Sequence, residues 1–354
     1  MNAALTLQPG GFLRGPQRRT PPATRDPRPP IVPYPAAVTR PGWTHLPQRL
    51  RDEIDERSGQ PVIDATPSAA GFSATFAAVL THADGRRSFC KAAPAASPTG
   101  QAYVREALIV ARLPADIPAA RLRWHHHTDW IIAVYDAIDG ASPARGWTSD
   151  PTPILAAVTN TAHGLTHVSG ALRAAARPAE PLPAGWADIA EGVRPLPTHA
   201  AALAPLAPSM ARWEADFLTA VADTRELAHY DVRPDNLMAN EHGRVWLVDW
   251  ATLRPGPSYV DTVMLAIGAA DDGAEPQRFF DQAAPKVTGD QVDQTLAWLS
   301  GAWLAYAGDP PRPDAPHLRH HQLRSGLLAW EWLAHRHGLP HTPAFPTGAG
   351  HTPA

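Results

Sequence analysis

The hydrophobic pattern changes character along the chain. Residues 1–40 show no periodicity and are rich in Pro and Arg. Such a stretch buries too little apolar surface to offset chain entropy, so it reads as a disordered tail. In PQRLRDEIDER (47–57), Leu50 and Ile54 fall four apart on one helical face, and Gly59 ends the run. Residues 61–134 read mainly as strands around one helix. The segments 72–80 and 87–92 predict two strands joined by a turn at Asp84-Gly85, and WIIAVY (130–135) suits a buried strand. Residues 101–113 predict the helix, which Pro114 ends. Residues 136–143, with Gly140, mark a hinge.

Beyond the hinge the period becomes helical. Residues 154–172, 209–227, 289–307 and 317–337 predict helices, and 177–208 is Pro-rich and weakly determined. A strand–turn–strand patch lies at 237–249, turning at Glu241-His242-Gly243. No internal repeat is seen. The expected class is α+β: a strand-rich N-terminal lobe over 45–135, a mainly helical C-terminal lobe over 136–338, and a loose tail over 339–354. A cofactor would sit in the cleft between the lobes.

Composition narrows the function. The formal net charge of −3 provides no basic field for nucleic acid or anionic membrane. No apolar run is long enough to span a bilayer, and the N-terminus lacks the basic region of a secretory signal. Cys90 is the lone cysteine, which excludes an internal disulfide framework and agrees with a reducing cytoplasm. Basic residues are nearly all Arg; only Lys91 and Lys286 are lysines.

The chemistry concentrates in LAHYDVRPDNLMANEHGRVWLVDW, residues 227–250. Asp231 lies on a loop after a helix, Asn236 follows five residues later, and Asp249 closes the next strand. Alternation along that strand puts Val245, Leu247 and Asp249 on one face. Two carboxylates and an amide can therefore converge. Phosphoryl transfer needs such a set, because charge spread over the moving phosphoryl group must be neutralised by Mg²⁺. Mg²⁺ takes oxygen ligands, here Asn236 and Asp249. Asp231 is then free to accept the proton of the attacking hydroxyl.

The run HYDVRPDN resembles the catalytic loop of protein-kinase-like enzymes, H-x-D-x-x-x-x-N. Its form is most similar to the aminoglycoside phosphotransferase-like family, including actinobacterial members with an H-G-D-L-R-x-D-N loop and a V-D-W strand end. The resemblance covers about residues 45–338. It implies a protein-kinase-like bilobal fold and transfer of the γ-phosphate of ATP, or of GTP, to a hydroxyl. It also implies a lysine that holds the α- and β-phosphates and a glutamate that fixes it; Lys91 and Glu106 occupy those places. The phosphate-covering hairpin is SAAGFSA (68–74), where Gly71 and Ser73 are the candidate donors and Ala70 departs from the family's Gly-rich form. Arg233, two residues after Asp231, would neutralise the γ-phosphate or pair within its loop. Asp261 would brace the catalytic loop, His229 would hold it, and Trp250 is common after the metal aspartate in this group. Residues 133–135 would offer backbone groups to adenine.

The implied partner is a small hydroxyl compound, cationic ones included, with acidic Asp271, Asp272 and Glu275 as candidate recognition groups. A pseudokinase with the same groups is the alternative reading. A protein kinase is disfavoured, because ATLRPGPSYVDT after Asp249 offers no landing site for a peptide. His125-His126-His127 and His320-His321 lack the accompanying Cys or spaced carboxylates of a zinc site and read as solvated turns.

Overall fold

A computed structural model describes residues 39–68, 73–140, 150–178, 180–284, 286–312 and 315–342. Gly71, the tail over 1–38 and the last twelve residues lie outside these.

Helix α1 (Gln48–Ser58) precedes strands β1 (Val62–Pro67), β2 (Phe76–His82) and β3 (Arg87–Pro94). Helix α2 (Pro98–Val110) follows, then β4 (Leu122–His127) and β5 (Trp130–Asp136). The five strands form one antiparallel sheet in the order β1-β2-β3-β5-β4. Period-2 alternation assigns its two faces. Leu50 and Ile54 of α1 pack with Phe76, Ala78, Leu80, Cys90, Ala92, Ile132 and Val134. Lys91, between Cys90 and Ala92, is therefore left to the opposite face, where α2 lies. Helix α2 starts earlier than the periodicity predicts: the Ser97 hydroxyl accepts the Gly100 N–H at 3.0 Å, and Pro98 supplies the first helical φ. The three consecutive histidines sit on edge strand β4 rather than on a turn.

The second lobe carries α3 (Thr152–Thr166), α4 (Gly170–Ala176), α5 (Gly185–Ala190), α6 (Ala207–Asp223), α7 (Tyr259–Asp271), α8 (Pro276–Ala283), α9 (Gly289–Ala307) and α10 (Leu318–His337). Its short strands are β6 (Leu227–Ala228), β7 (Leu237–Ala239), β8 (Val245–Leu247) and β9 (Arg254–Pro255). The single helix expected over 154–172 is two helices, because the Ser169 side chain caps Leu172 N–H and restarts the chain. Helix α5 lies in the Pro-rich stretch that the pattern left undetermined. It approaches α9 so closely that a Cβ on Gly185 would meet the Gly301 carbonyl at 2.2 Å. The architecture is the expected α+β bilobal fold, a strand-rich lobe above a helical one.

Pairings β6–β9 and β7–β8 place the site. The first ties the entrance of the 229–236 loop to the exit of the segment after Asp249. The second returns the chain from Asn236 to Asp249, with the Val248 N–H donating to the Asn236 carbonyl at 3.0 Å.

Candidate active site

The lobes enclose a cleft of about 620 Å³, lined by residues of both, including Lys91, Glu106, Asp231, Arg233, Asn236 and Asp249. With Ser73, seven of the eight phosphate-, metal- and proton-handling residues that the sequence nominates thus share one cavity. Gly71 lies outside the described residues.

From the upper lobe, Lys91 projects from the middle of β3, which pairs Lys91 with Ala77 on β2 and Ala133 on β5. Its Nζ donates to both Glu106 carboxylate oxygens, at 2.9 and 2.7 Å, and to Asp249 Oδ1 at 3.2 Å. The pair with Glu106 is buried, and the third contact crosses to the other lobe. Burial works against the Lys91 charge, but Asp249 and Glu106 outweigh it and raise its pKa above that of a free lysine. Lys91 in turn holds the Asp249 carboxyl below the ordinary range, so Asp249 stays ionised. The Asp249 side chain keeps 42 % of its surface exposed in the cleft, within reach of a ligand.

Strand alternation does not explain how Asp249 arrives. Strand β8 ends at Leu247, and Asp249 takes a left-handed conformation, φ 65° and ψ 62°. Asp tolerates that region better than most residues, because its short polar side chain bonds locally. The left-handed turn, rather than the strand face shared with Val245 and Leu247, aims the carboxylate at the cleft.

From the lower lobe, Asn236 Nδ2 donates to the Asp231 carbonyl and to Asp231 Oδ2, each at 2.8 Å. This spends the amide nitrogen and leaves the amide oxygen as the free end of the group. Burial pushes the Asp231 carboxyl up to about 7, against the opposing charge of Arg233. Arg233 grips Asp235 with two bonds of 3.1 Å and passes Asp231 Oδ1 at 3.4 Å. Of its two sequence readings, pairing within the loop is the one displayed.

The loop is held from beneath. Both Asp261 oxygens accept backbone N–H groups, from His229 at 2.8 Å and Tyr230 at 2.9 Å. Tyr230 has φ 61°, an unfavourable conformation for a bulky residue that persists only where surroundings over-determine it. Burial drives the His229 pKa down to about 4, so its ring is neutral, and it packs edge-on against Trp250 at 4.6 Å.

Several expectations change. Residues 133–135 lie inside the sheet, with β3 on one side and β4 on the other, so their peptides serve the ladder. Of the three, Tyr135 lines the cleft, whose wall continues through Asp136 and Ile138. Asp271 is paired with Arg324, and the Glu275 side chain caps the N-terminus of α8. Neither lines the cleft: Arg324 of α10 engages Asp271, and Glu275 turns to the backbone N–H groups of Gln277 and Arg278. Among the described residues, no group of three or more His, Cys, Asp or Glu side chains is arranged to hold a metal ion.

Other cleft residues gave no sign in the sequence. Arg40 donates to Ser73 Oγ at 3.3 Å and to the Thr75 carbonyl at 3.1 Å. Tyr103 binds Thr75 through its hydroxyl at 2.8 Å, and its ring lies 5.2 Å from Lys91 Nζ. An Arg in a polar tail and a Tyr in an amphipathic helix carry no motif, so only the fold reveals them.

Two donor sets follow. Asp249 with the Asn236 oxygen offers two hard oxygens, the number Mg²⁺ takes from protein when phosphates and water supply the rest. Lys91, fixed between two carboxylates, offers an ammonium to phosphate oxygens.

A sequence profile described as the phosphotransferase enzyme family (APH) matches residues 64–299, well over half of the chain. No curated protein sequence matches significantly. Among solved structures, the aminoglycoside phosphotransferase APH(4)-Ia, in a ternary complex with AMP-PNP and hygromycin B, is similar at 11 % identity and TM-score 0.54, covering 82 % of this chain and 97 % of its own. The choline kinase LicA from Streptococcus pneumoniae is similar at 13 % identity and TM-score 0.52, covering 81 % of this chain and 100 % of its own. At such identities the likeness speaks for the fold, and the family rests on the profile match together with the fold: this chain belongs to the phosphotransferase enzyme family.

Proposed function

We propose that the protein transfers the γ-phosphate of ATP to a hydroxyl group of a small molecule. The observation that carries this reading is the single ammonium of Lys91, bound at once to Glu106 and to Asp249 across an interlobe cleft that also holds Asp231 and Asn236. The solved relative with AMP-PNP supports a nucleoside triphosphate as donor. GTP is the second donor to test.

Each residue has a distinct task. Lys91 binds the α- and β-phosphates, and Glu106 keeps its ammonium in place. Ser73 would donate to the phosphates from the cleft wall, and Gly71 is the sequence's second candidate donor. Asn236 and Asp249 would hold Mg²⁺, which when bound neutralises charge on the phosphate oxygens. Asp231 takes the hydroxyl proton as the substrate oxygen bonds to the γ-phosphorus. The bond from that phosphorus to the β-phosphate oxygen breaks, and ADP leaves with the electron pair. Arg233, fixed on Asp235, keeps Asp231 from turning away. The cleft, rather than any charged patch, suits a small acceptor, and the choline kinase and hygromycin-bound relatives define the first alcohols to try.

The test is ADP release from ATP and Mg²⁺ against a panel of amino-sugars, amino-alcohols and sugars. We expect one acceptor class to stimulate turnover, and Asp231→Asn to lower kcat by about 10²–10⁴-fold while ADP still binds. Nucleotide binding with no turnover on any acceptor would instead identify a nucleotide-binding scaffold protein. Failure to bind ATP, GTP or ADP would refute both readings.

A further inference from the structure

Arg105 is the residue before Glu106 on α2, and nothing in the proposed chemistry uses it. Its guanidinium makes four hydrogen bonds, all to backbone carbonyls. Nε donates to Ala251 at 2.7 Å and one terminal nitrogen to Arg177 at 2.7 Å. The other terminal nitrogen donates to Ala176 at 2.8 Å and to Leu253 at 2.6 Å. No carboxylate pairs with it among the described residues.

The four acceptors belong to two pieces of the lower lobe. Ala251 and Leu253 stand two and four residues after Asp249, in the turn that leaves the metal position. Ala176 and Arg177 end α4, where unsatisfied carbonyls and the negative end of the helix favour a cation. The turn is tied onward, since the Thr252 hydroxyl donates to the His229 carbonyl at 2.7 Å. One side chain of α2 thus reaches the Asp249 segment directly and the Asp231 loop through one further bond.

We propose that Arg105 is a positioning residue. It latches α2 to the segment carrying Asp249, so that Glu106, Lys91 and Asp249 keep one arrangement across the lobe boundary. A planar fork of five N–H donors can serve four carbonyls at once, whereas the compact ammonium of lysine cannot match that spread. Releasing the latch frees α2 to shift, and the Lys91 contact to Asp249 is the weakest of the three to survive it. The effect falls on the transfer step more than on nucleotide capture, because Lys91 and Glu106 ride on the same lobe. The inference rests on the phosphotransferase reading for its kinetic half only.

The experiment compares wild type, Arg105→Met and Arg105→Lys. Arg105→Met retains the aliphatic stem and removes every donor. Hydrogen exchange is measured on the 250–254 segment and on α2 without substrate, together with melting temperature, kcat and the ATP KM on whichever acceptor supports turnover. We expect exchange at 250–254 to accelerate at least tenfold in Arg105→Met. We expect kcat to fall tenfold or more with ATP KM changed less than threefold, and Arg105→Lys to recover folding without recovering kcat. Unchanged exchange in a folded variant overturns the latch. So does a fall in melting temperature with kcat unaltered, or a return of full kcat in Arg105→Lys. Should Arg105→Met fail to fold, Arg105→Lys is judged by the same exchange and kinetic criteria. A wild type without turnover overturns the phosphotransferase reading, while the exchange data still decide the latch.

Discussion

Lys91 shows how much a single buried charge governs here. Its ammonium offsets two carboxylates, one of them the buried Glu106. Breaking a buried pair by deleting one partner is costly, because the other charge is left without compensation. Lys91→Met should therefore destabilise the fold by about 3–5 kcal/mol at neutral pH. Burial already raises the Glu106 carboxyl, with Lys91 opposing that rise. Removing Lys91 raises it further. A carboxyl raised in the native state contributes most below its unfolded pKa and loses that contribution as pH climbs through the native value. The deficit of Lys91→Met should accordingly be smaller at pH 5 than at pH 8, and the double variant Lys91→Met with Glu106→Gln should recover much of it at pH 8. Urea titrations at the two pH values check both statements; a pH-independent deficit would refute the buried-charge account.

Among the elements, α5 depends on a group from elsewhere. The Glu214 carboxylate on α6 accepts the N–H groups of Trp186 at 3.1 Å and Ala187 at 3.0 Å, capping a helix start that lacks a cap of its own. Burial nevertheless pushes the Glu214 carboxyl up to about 7, the two backbone bonds opposing it. The native state therefore holds a proton that the unfolded chain releases above about pH 4.5. This stabilising contribution is complete below the unfolded value and is lost as pH rises through about 7. Glu214→Gln cannot ionise, so its stability relative to wild type should rise between pH 5 and pH 8, by on the order of 2–3 kcal/mol. Thermal or urea unfolding across that range measures it, and a flat difference between the two proteins would contradict the assignment. The same elements show what periodicity can and cannot read. Residues 289–307 were legible as α9, to the residue, because a Thr288 capping box and an apolar stripe announce it. Helix α5 was not legible, since six residues capped by a distant glutamate leave no local pattern.

For the whole molecule, the lobes meet at one cleft, and a ligand bound there touches both. Mg²⁺ with ADP should raise the melting temperature of a single cooperative transition. A ligand at one hundred times its dissociation constant adds about 2.7 kcal/mol. Asp249→Asn and Asn236→Ala should keep the increment given by ADP alone and lose the further increment given by Mg²⁺. Chelation should erase that further increment in wild type. Differential scanning fluorimetry over the four ligand conditions tests this, and an Mg²⁺ increment that survives both substitutions would place the metal elsewhere. No helix among the described residues is long and apolar enough to cross a membrane.

The amino-acid order was sufficient for what depends on local spacing. It yielded the change from strand to helix patterning and the run from His229 to Asp249, since a loop and a turn are short-range objects; Lys91 and Glu106 were nominated only through the family resemblance that this run carries. Contacts between residues far apart in the chain are set by how two lobes stack, and no local rule contains that information. Only the folded chain could show Lys91 reaching Asp249 over 158 positions, the left-handed backbone that aims Asp249, or Arg105 spanning α2 and the two carbonyl pairs below it. It was likewise the folded chain that set Asp271 against Arg324 of α10 and enclosed the peptides of 133–135 in the sheet, away from the roles their sequence suggested.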